Sequence, residues 1–554
     1  MVMSIPNIKT NCCVKIIFTL LLVFLSFYAH GQGSTYTSFY RVYLKDKGAN
    51  ETHKYTPEDL LSKKALARRQ KAGITVPDFR DIPVFSEYLN QITEKGFTLH
   101  CTSKWMNTAF FKTKSRVDPA ILKSLPFVND VKIVKSSPGK SNKNNKLDFQ
   151  TYQSDVIPYD RPITMVNGYS LHHSGFNGKN VLIAVLDGGF TNAENISSLY
   201  QLRNRKGIKA IYDFINNSNE IYDSSTHGTA VLSILAGIIP GQIEGTAQGA
   251  DYLLLQTEDV TTEFPCEEDF WAAGAEFADS SGADIITSSL GYYIFDDPAL
   301  NYKPSELDGN SAFVTRVADI AASKGILVVN SAGNERTNVW KRIIFPSDGD
   351  SVLAIGAVDG NNQISTFSSA GPASDGRIKP DICTMGVNVT VQVATSTTAR
   401  SNGTSFSCPV LSGMAACLMQ AVPSALNTDI ITALHASADR FNSPDSLYGY
   451  GIPDMTIALT KLQDALVKVP EEESIAGPNP TSGDFEITFQ EPPGSLSIEI
   501  VTMAGKVILR KDINDYAGRT LRITELNNRE QGIYFIRLIK PSGINVHKII
   551  KLRN

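Results

Sequence analysis

Val181-Leu182-Ile183-Ala184-Val185-Leu186-Asp187 is the stretch from which the fold is read. Six apolar residues in an unbroken run, closed by a carboxylate, predict a strand covered on both faces, as strands of parallel sheets are. Tyr252–Leu255, Asp284–Ile286 and Ile326–Val329 repeat the pattern, with helical periodicity between them. Residues 159–463 therefore read as an α/β domain, a parallel sheet with helices on both faces.

Three short motifs punctuate this region: Val185-Leu186-Asp187-Gly188-Gly189, Thr226-His227-Gly228-Thr229 and Asn402-Gly403-Thr404-Ser405-Phe406-Ser407-Cys408-Pro409. Each alone is weak, since a strand-ending Asp caps helices and Gly-Thr-Ser is common in turns. Together they supply a nucleophilic mechanism. A hydroxyl attacks a carbonyl poorly until a base takes its proton, and imidazole suits that task near neutral pH. The imidazole in turn needs a buried acceptor that holds its tautomer. Asp187, His227 and Ser405 fill those three roles, and the chain order Asp, His, Ser is a known one. His227 precedes a small, apolar run that reads as a buried helix. Ser405 opens a second one, Phe406 to Ala421, which ends before Pro423. A hydroxyl there meets the amide groups of a helix N-terminus, which favour developing negative charge. Val328-Val329-Asn330-Ser331-Ala332-Gly333-Asn334 adds a buried strand entering a small-residue turn. Its Asn334 amide is the candidate second donor, beside the Ser405 N–H, to the oxyanion of a tetrahedral intermediate.

These motifs, with Ser288-Ser289-Leu290-Gly291 and Arg377-Ile378-Lys379-Pro380-Asp381, resemble those of the subtilase family of serine proteases. The resemblance spans residues 159–463 and implies a subtilisin-like endopeptidase that works through an acyl-enzyme. It also implies substrate contacts at Ser289, Leu290 and Gly291, where the substrate backbone adds as a β-strand, and at Ala332 and Gly333. Gly188 departs from the usual Thr or Ser, Thr384-Met385-Gly386 from Ala-Pro-Gly, and Cys408 from Ala. A non-catalytic binding protein and a peptide ligase on the same fold are the alternatives the residues leave open.

The flanks differ in character. Lys9 and Lys15 before the apolar run Ile16–Tyr28, with Ala29-His30-Gly31 after it, predict a signal peptide over residues 1–31. Residues 32–135 mix strand and helix text, including Phe39–Leu44 and the helix start Thr56-Pro57-Glu58-Asp59. They resemble the N-terminal propeptides of subtilases exported by type IX secretion, at Leu60-Leu61-Ser62, Arg68-Arg69, Asp81-Ile82-Pro83-Val84, Ser103–Asn107 and Leu125–Val128. A small α+β prodomain that inhibits its own protease is implied. Residues 136–158 read as a solvated linker, and residues 464–473 as another. Residues 474–554 carry short alternating strands that predict a C-terminal β-sandwich. Pro478–Phe485, Gly532–Phe535 and Lys548–Leu552 resemble type IX secretion sorting domains, which implies that machinery as a partner, passage through the periplasm and a secreted or cell-surface protein.

Charge supports the pairing of prodomain and protease. Residues 32–135 hold 18 Lys/Arg against 10 Asp/Glu, whereas residues 159–473 hold 18 against 36. Opposite fields attract, and the acidic one excludes nucleic acid as a partner. The cluster Glu258, Asp259, Glu263, Glu267, Glu268 and Asp269 reads first as a solvated loop and helix start, with a subsite for basic substrates as the alternative. After signal removal five cysteines remain, without CxxC pairs, which excludes a zinc site. No cofactor is required for catalysis, no metal ligands are assigned, and structural calcium is left without ligands.

Overall fold

A computed structural model describes residues 38–136, 145–153, 157–466, 474–502, 506–540 and 543–553. The signal-peptide reading, with Cys12 and Cys13, lies outside them. Residues Met1–Gln463 form one compact unit and Asp464–Asn554 a second.

The run that ends at Asp187 is the strand Leu182–Asp187, an interior strand of a seven-stranded sheet. From edge to edge the order is Ile382–Met385, Val352–Val358, Leu327–Ser331, Ile285–Ser288, Leu182–Asp187, Asp251–Gln256 and Ile208–Asp213, all parallel. Side chains alternate across such a sheet. Leu182, Ala184 and Leu186 pack with Phe270, Trp271 and Ala275 of the helix Cys266–Ser281. Ile183 and Val185 are equally buried and point to the other face, on the side of helices His227–Ala236 and Thr404–Ala421. Burial on both sides is why the sequence shows no alternation.

Residues 38–135 build an antiparallel sheet in the order Thr98–Ser103, Thr108–Thr113, Ser38–Leu44, Val128–Lys135. Its period of two divides its labour. Tyr40 and Val42 join Phe97, Phe111, Leu122 and Val131 in a core of its own. Phe39 and Tyr43 pack instead, with Phe110 and Trp105, onto the helix Cys266–Ser281 and its neighbours. The helix Pro57–Leu60 starts where expected, with Pro57 in its first turn and a capping box between Thr56 and Asp59.

The interface is charged as well as apolar. Arg41 Nη2 reaches Asp269 at 2.7 Å and Glu268 at 3.1 Å, and its guanidinium lies 3.6 Å over the Phe313 ring. Asp279 receives Arg68, and Arg69 at 2.7 Å, while Arg69 also pairs with Asp81. Glu276 accepts from Ser103 Oγ and from the backbone N–H groups of Lys104 and Trp105. The expected solvated helix start is thus overturned: Glu267 and Glu268 are fully buried and Asp269 is 4% exposed.

The second unit is the sandwich its strand pattern predicts. Ser474–Gly477, Phe485–Phe489 and Thr520–Ile523 form one antiparallel sheet; Val507–Tyr516, Gly494–Thr502, Gly532–Lys540 and Gly543–Lys551 form the other. Phe485, Ile487 and Phe489 point inward against Ile498, Ile500, Ile536 and Leu538. The five described cysteines are unpaired, four of them buried. Among the described residues no helix is long and apolar enough to cross a membrane.

Two expectations follow. Arg41→Met leaves Glu268 and Asp269 buried without their cation, and breaking a buried pair in this way costs about 3–5 kcal/mol. The yield of soluble precursor and the midpoint of its first unfolding transition should both fall; unchanged values would refute the linkage. The second concerns His100, whose Nε2–H donates to the Phe214 carbonyl at 2.8 Å. Burial, then Lys112, pushes its imidazole down to about 4. Released from this site, His100 would bind a proton below its ordinary value of about 6.5. Its contribution to stability is therefore lost as pH falls from about 6.5 towards 4. His100→Gln should lower the loss of thermal midpoint between about pH 7 and about pH 5 relative to the original protein. Equal losses would remove His100 from the pH dependence.

Candidate active site

The sheet order creates the site. From Leu182–Asp187 the chain places its next two strands on one side, then crosses to Ile285–Ser288 on the other. The carboxyl ends of these adjacent strands flank a topological switch point, where loops diverge and leave a crevice. Asp187 is the last residue of one strand, and Ser289-Leu290-Gly291 leaves the end of the other.

Asp187 is fully buried, and its Oδ1 accepts from the Gly188 N–H at 2.7 Å. His227 Nδ1 lies 2.9 and 3.0 Å from the two carboxylate oxygens, so Nδ1–H donates and Nε2 is left as the basic nitrogen. The helix His227–Ala236 approaches closely because residue 228 is glycine: a Cβ there would meet the Gly189 carbonyl at 2.5 Å.

Ser405 lies in the first turn of Thr404–Ala421, as its sequence context predicts. Its Oγ–H is directed to the Ser289 carbonyl at 3.5 Å, and Ser289 Oγ donates to the Ser405 carbonyl at 2.9 Å. Among the described residues no hydrogen bond joins Ser405 Oγ to His227. Asn334 is oriented by Thr404, whose N–H and Oγ–H both donate to its Oδ1, at 2.9 and 3.0 Å. That fixes which end of the amide faces the cleft: the NH₂ group is left to donate. Thr404 Oγ also accepts from the Gly333 N–H at 3.2 Å. Gly333 takes φ +102°, a backbone conformation that favours glycine. Ala332 is fully buried behind this turn. No role was assigned to Thr404 from the sequence, although it stands beside Ser405.

Ser289, Leu290, Gly291, Gly333, Asn334, Thr404 and Ser405 line one cleft of about 200 Å³. Cys408, a thiol on the same helix, is buried among the Thr287 hydroxyl and the Ser288 and Val329 carbonyls. Burial pushes its thiol up to about 11, so it stays protonated and inert. Asp381 of the Arg377–Asp381 motif is structural: it accepts from Ala354 N–H at 2.7 Å and pairs with Lys379.

The cleft also holds residues that were expected to form a solvated linker. Lys146 places its Nζ among Glu258, Glu263 and Glu267, at 2.6–2.7 Å from each. Leu147 occupies the space that a Cβ at Gly188 would fill, 2.4 Å from its Cδ1, which explains the missing Thr or Ser there. Phe149 packs at 5.7 Å from the His227 ring and 5.3 Å from Phe406. Composition alone concealed this, because one lysine in a polar run looks like any other. Glu258, Glu263 and Glu267 are the group among the described residues whose spacing suits a metal ion, and the Lys146 ammonium stands between them.

Residues 178–451 match the subtilase family model, residues 39–148 the peptidase S8 propeptide domain of Bacteroidota, and residues 477–552 a secretion system C-terminal sorting domain. Subtilisin amylosacchariticus of Bacillus subtilis subsp. amylosacchariticus is 28% identical over 369 residues, 66% of this chain and 84% of that protein. Subtilisin of Bacillus pumilus is 29% identical over 304 residues, 54% of this chain and 98% of that one. A solved structure of MycP3 protease from the type VII (ESX-3) secretion system aligns at 21% identity and TM-score 0.45, over 57% of this chain and 93% of that one. The sorting domain marks the chain for type IX export, to secretion or the cell surface. With its parallel sheet, propeptide and sorting domain, the chain belongs to the subtilase family as a subtilisin-like serine endopeptidase.

Proposed function

We propose that Asp187, His227 and Ser405 are the catalytic triad of this protease and that Asn334 and the Ser405 N–H form its oxyanion hole. The observation that carries the reading is the buried Asp187 carboxylate on His227 Nδ1, which leaves Nε2 free to act as a base. Ser405 Oγ turns from the Ser289 carbonyl towards Nε2 by rotation about one bond. His227 takes its proton as Oγ attacks the carbonyl carbon of a peptide substrate. The oxygen gains negative charge, met by the Asn334 NH₂ and the Ser405 N–H. The C–N bond then breaks, Nε2–H gives its proton to the leaving amine, and the acyl group stays on Oγ. Water, deprotonated by the same nitrogen, releases the acid and restores Ser405.

Substrate contacts at Ser289, Leu290, Gly291 and Gly333 fit this arrangement, since all four line the same cleft as Ser405, whereas Ala332 is fully buried and does not line it. The precursor is inactive in this reading because residues 145–153 lie in that cleft, with Phe149 against His227. Product analysis separates hydrolysis from ligation by the same triad.

Ser405→Ala should lower kcat by on the order of 10⁶-fold and abolish labelling by a serine-directed fluorophosphonate. Casein hydrolysis and maturation of the exported precursor are followed in parallel. Equal labelling of both proteins would overturn the assignment.

A further inference from the structure

Residues 145–153 lie along the cleft as a peptide would. The Lys146 N–H donates to the Val260 carbonyl at 2.9 Å. Leu147 then covers Gly188, Phe149 meets His227 and Phe406, and Tyr152 exchanges backbone hydrogen bonds with Arg400 at 3.0 and 2.8 Å. Lys146 thus stands upstream of the residue that lies on the catalytic imidazole. Its Nζ has four acceptors: Glu258 Oε1 at 2.6 Å, Glu263 Oε2 and Glu267 Oε1 at 2.7 Å, and the Thr262 carbonyl at 2.8 Å.

Two of the three carboxylates, Glu258 and Glu267, are held by groups other than Lys146. Tyr292 Oη donates to Glu258 Oε2 at 3.0 Å, and the N–H groups of Asp259 and Phe264 donate to Glu267 at 2.9 and 3.0 Å. The pocket is therefore preformed by the protease domain. Three carboxylates this close and this buried do not stay ionised without a cation. Burial, opposed by Lys146, leaves Glu263 raised to about 7. The cation present is lent by the propeptide, whose match ends at residue 148, and it departs when the propeptide does. Glu258 and Glu263 line the same cleft as Ser405 and Asn334.

We propose that this pocket is a specificity subsite for a basic side chain on the amino-terminal side of the scissile bond, and that Lys146 fills it in the precursor as a substrate lysine does in the mature enzyme. This rests on the serine-protease reading above. Lysine is preferred to arginine, because the four acceptors converge on one point, the geometry of an ammonium and not of a planar guanidinium.

The mature enzyme, prepared from the exported precursor, is assayed on internally quenched peptides that carry Lys, Arg, norleucine or Glu at each upstream position. At one such position kcat/KM for Lys should exceed that for norleucine by about tenfold or more, the scale of a close buried charge pair. Glu263→Gln and Glu258→Gln should each lower that ratio. As a test without substitution, a synthetic peptide spanning residues 145–153 should inhibit about tenfold more tightly than the same peptide with norleucine at 146. A flat profile or equal inhibition, in an enzyme that labels with fluorophosphonate and hydrolyses casein, would overturn the subsite alone. So would a lysine preference that survives both substitutions, or one that appears only with added calcium, which would make the pocket a metal site. Failure to label would instead overturn the protease reading, and the subsite with it.

Discussion

Five carboxylates on one helix cannot reach water, and that constraint ties the precursor together. Glu267, Glu268, Asp269, Glu276 and Asp279 of Cys266–Ser281 are all buried. Each takes a partner from the propeptide match: Lys146, Arg41, Arg68 and Arg69, or the Ser103–Trp105 turn. An isolated buried charge is too costly to keep, so these contacts must form together with the helix's burial. The same helix also presents Phe270 and Trp271 to the sheet and propeptide. Apolar contact supplies area, while the ion pairs place each basic side chain on particular acids.

The sheet contributes the other half. The interior strand Leu182–Asp187 ends at Asp187, and the crossover beside it opens the cleft, so the Asp187–His227 pair is anchored to a fully buried strand. Thr404 links the two other elements of the site. One hydroxyl and one N–H hold Asn334, and the same hydroxyl accepts from Gly333, so the turn after Leu327–Ser331 is tied to the helix that carries Ser405. A donor that is already fixed loses little freedom when charge develops, which is the general advantage of a preorganised site.

Much of this was legible in the residues. Unbroken apolar runs marked the strands at 182, 251, 285 and 327, because covering on both faces erases alternation. Three strands of the sheet were not read: Val352–Val358 and Ile382–Met385, although buried throughout, and Ile208–Asp213, an edge strand, half-exposed, whose text Ile-Lys-Ala-Ile-Tyr-Asp is mixed. Asp187 and His227 come together as their motifs predict, whereas Ser405 Oγ points to the Ser289 carbonyl. The largest departure concerns the acids at 258–269. Their composition predicts solvation, and only a partner from more than a hundred residues away reverses that. Long-range charge pairing has no local signature; the opposed net charges of the two regions were its sole trace in the sequence.

A propeptide that lends its lysine to the acid pocket links inhibition to specificity. The pocket cannot be tuned for substrates without changing how tightly the precursor is held, since one set of carboxylates serves both. Loss of a single glutamate would weaken the grip on Lys146 and the preference for a basic substrate by a common mechanism. Leu147 over Gly188 adds a second such link, because any side chain at 188 would displace it. Residues 146 and 147 are therefore constrained by the protease domain more strictly than their place in a polar stretch suggests. The hydrogen bonds between Asp187 and His227 come from the sheet and helix that carry them, and residues 145–153 reach this pair through the Phe149 ring.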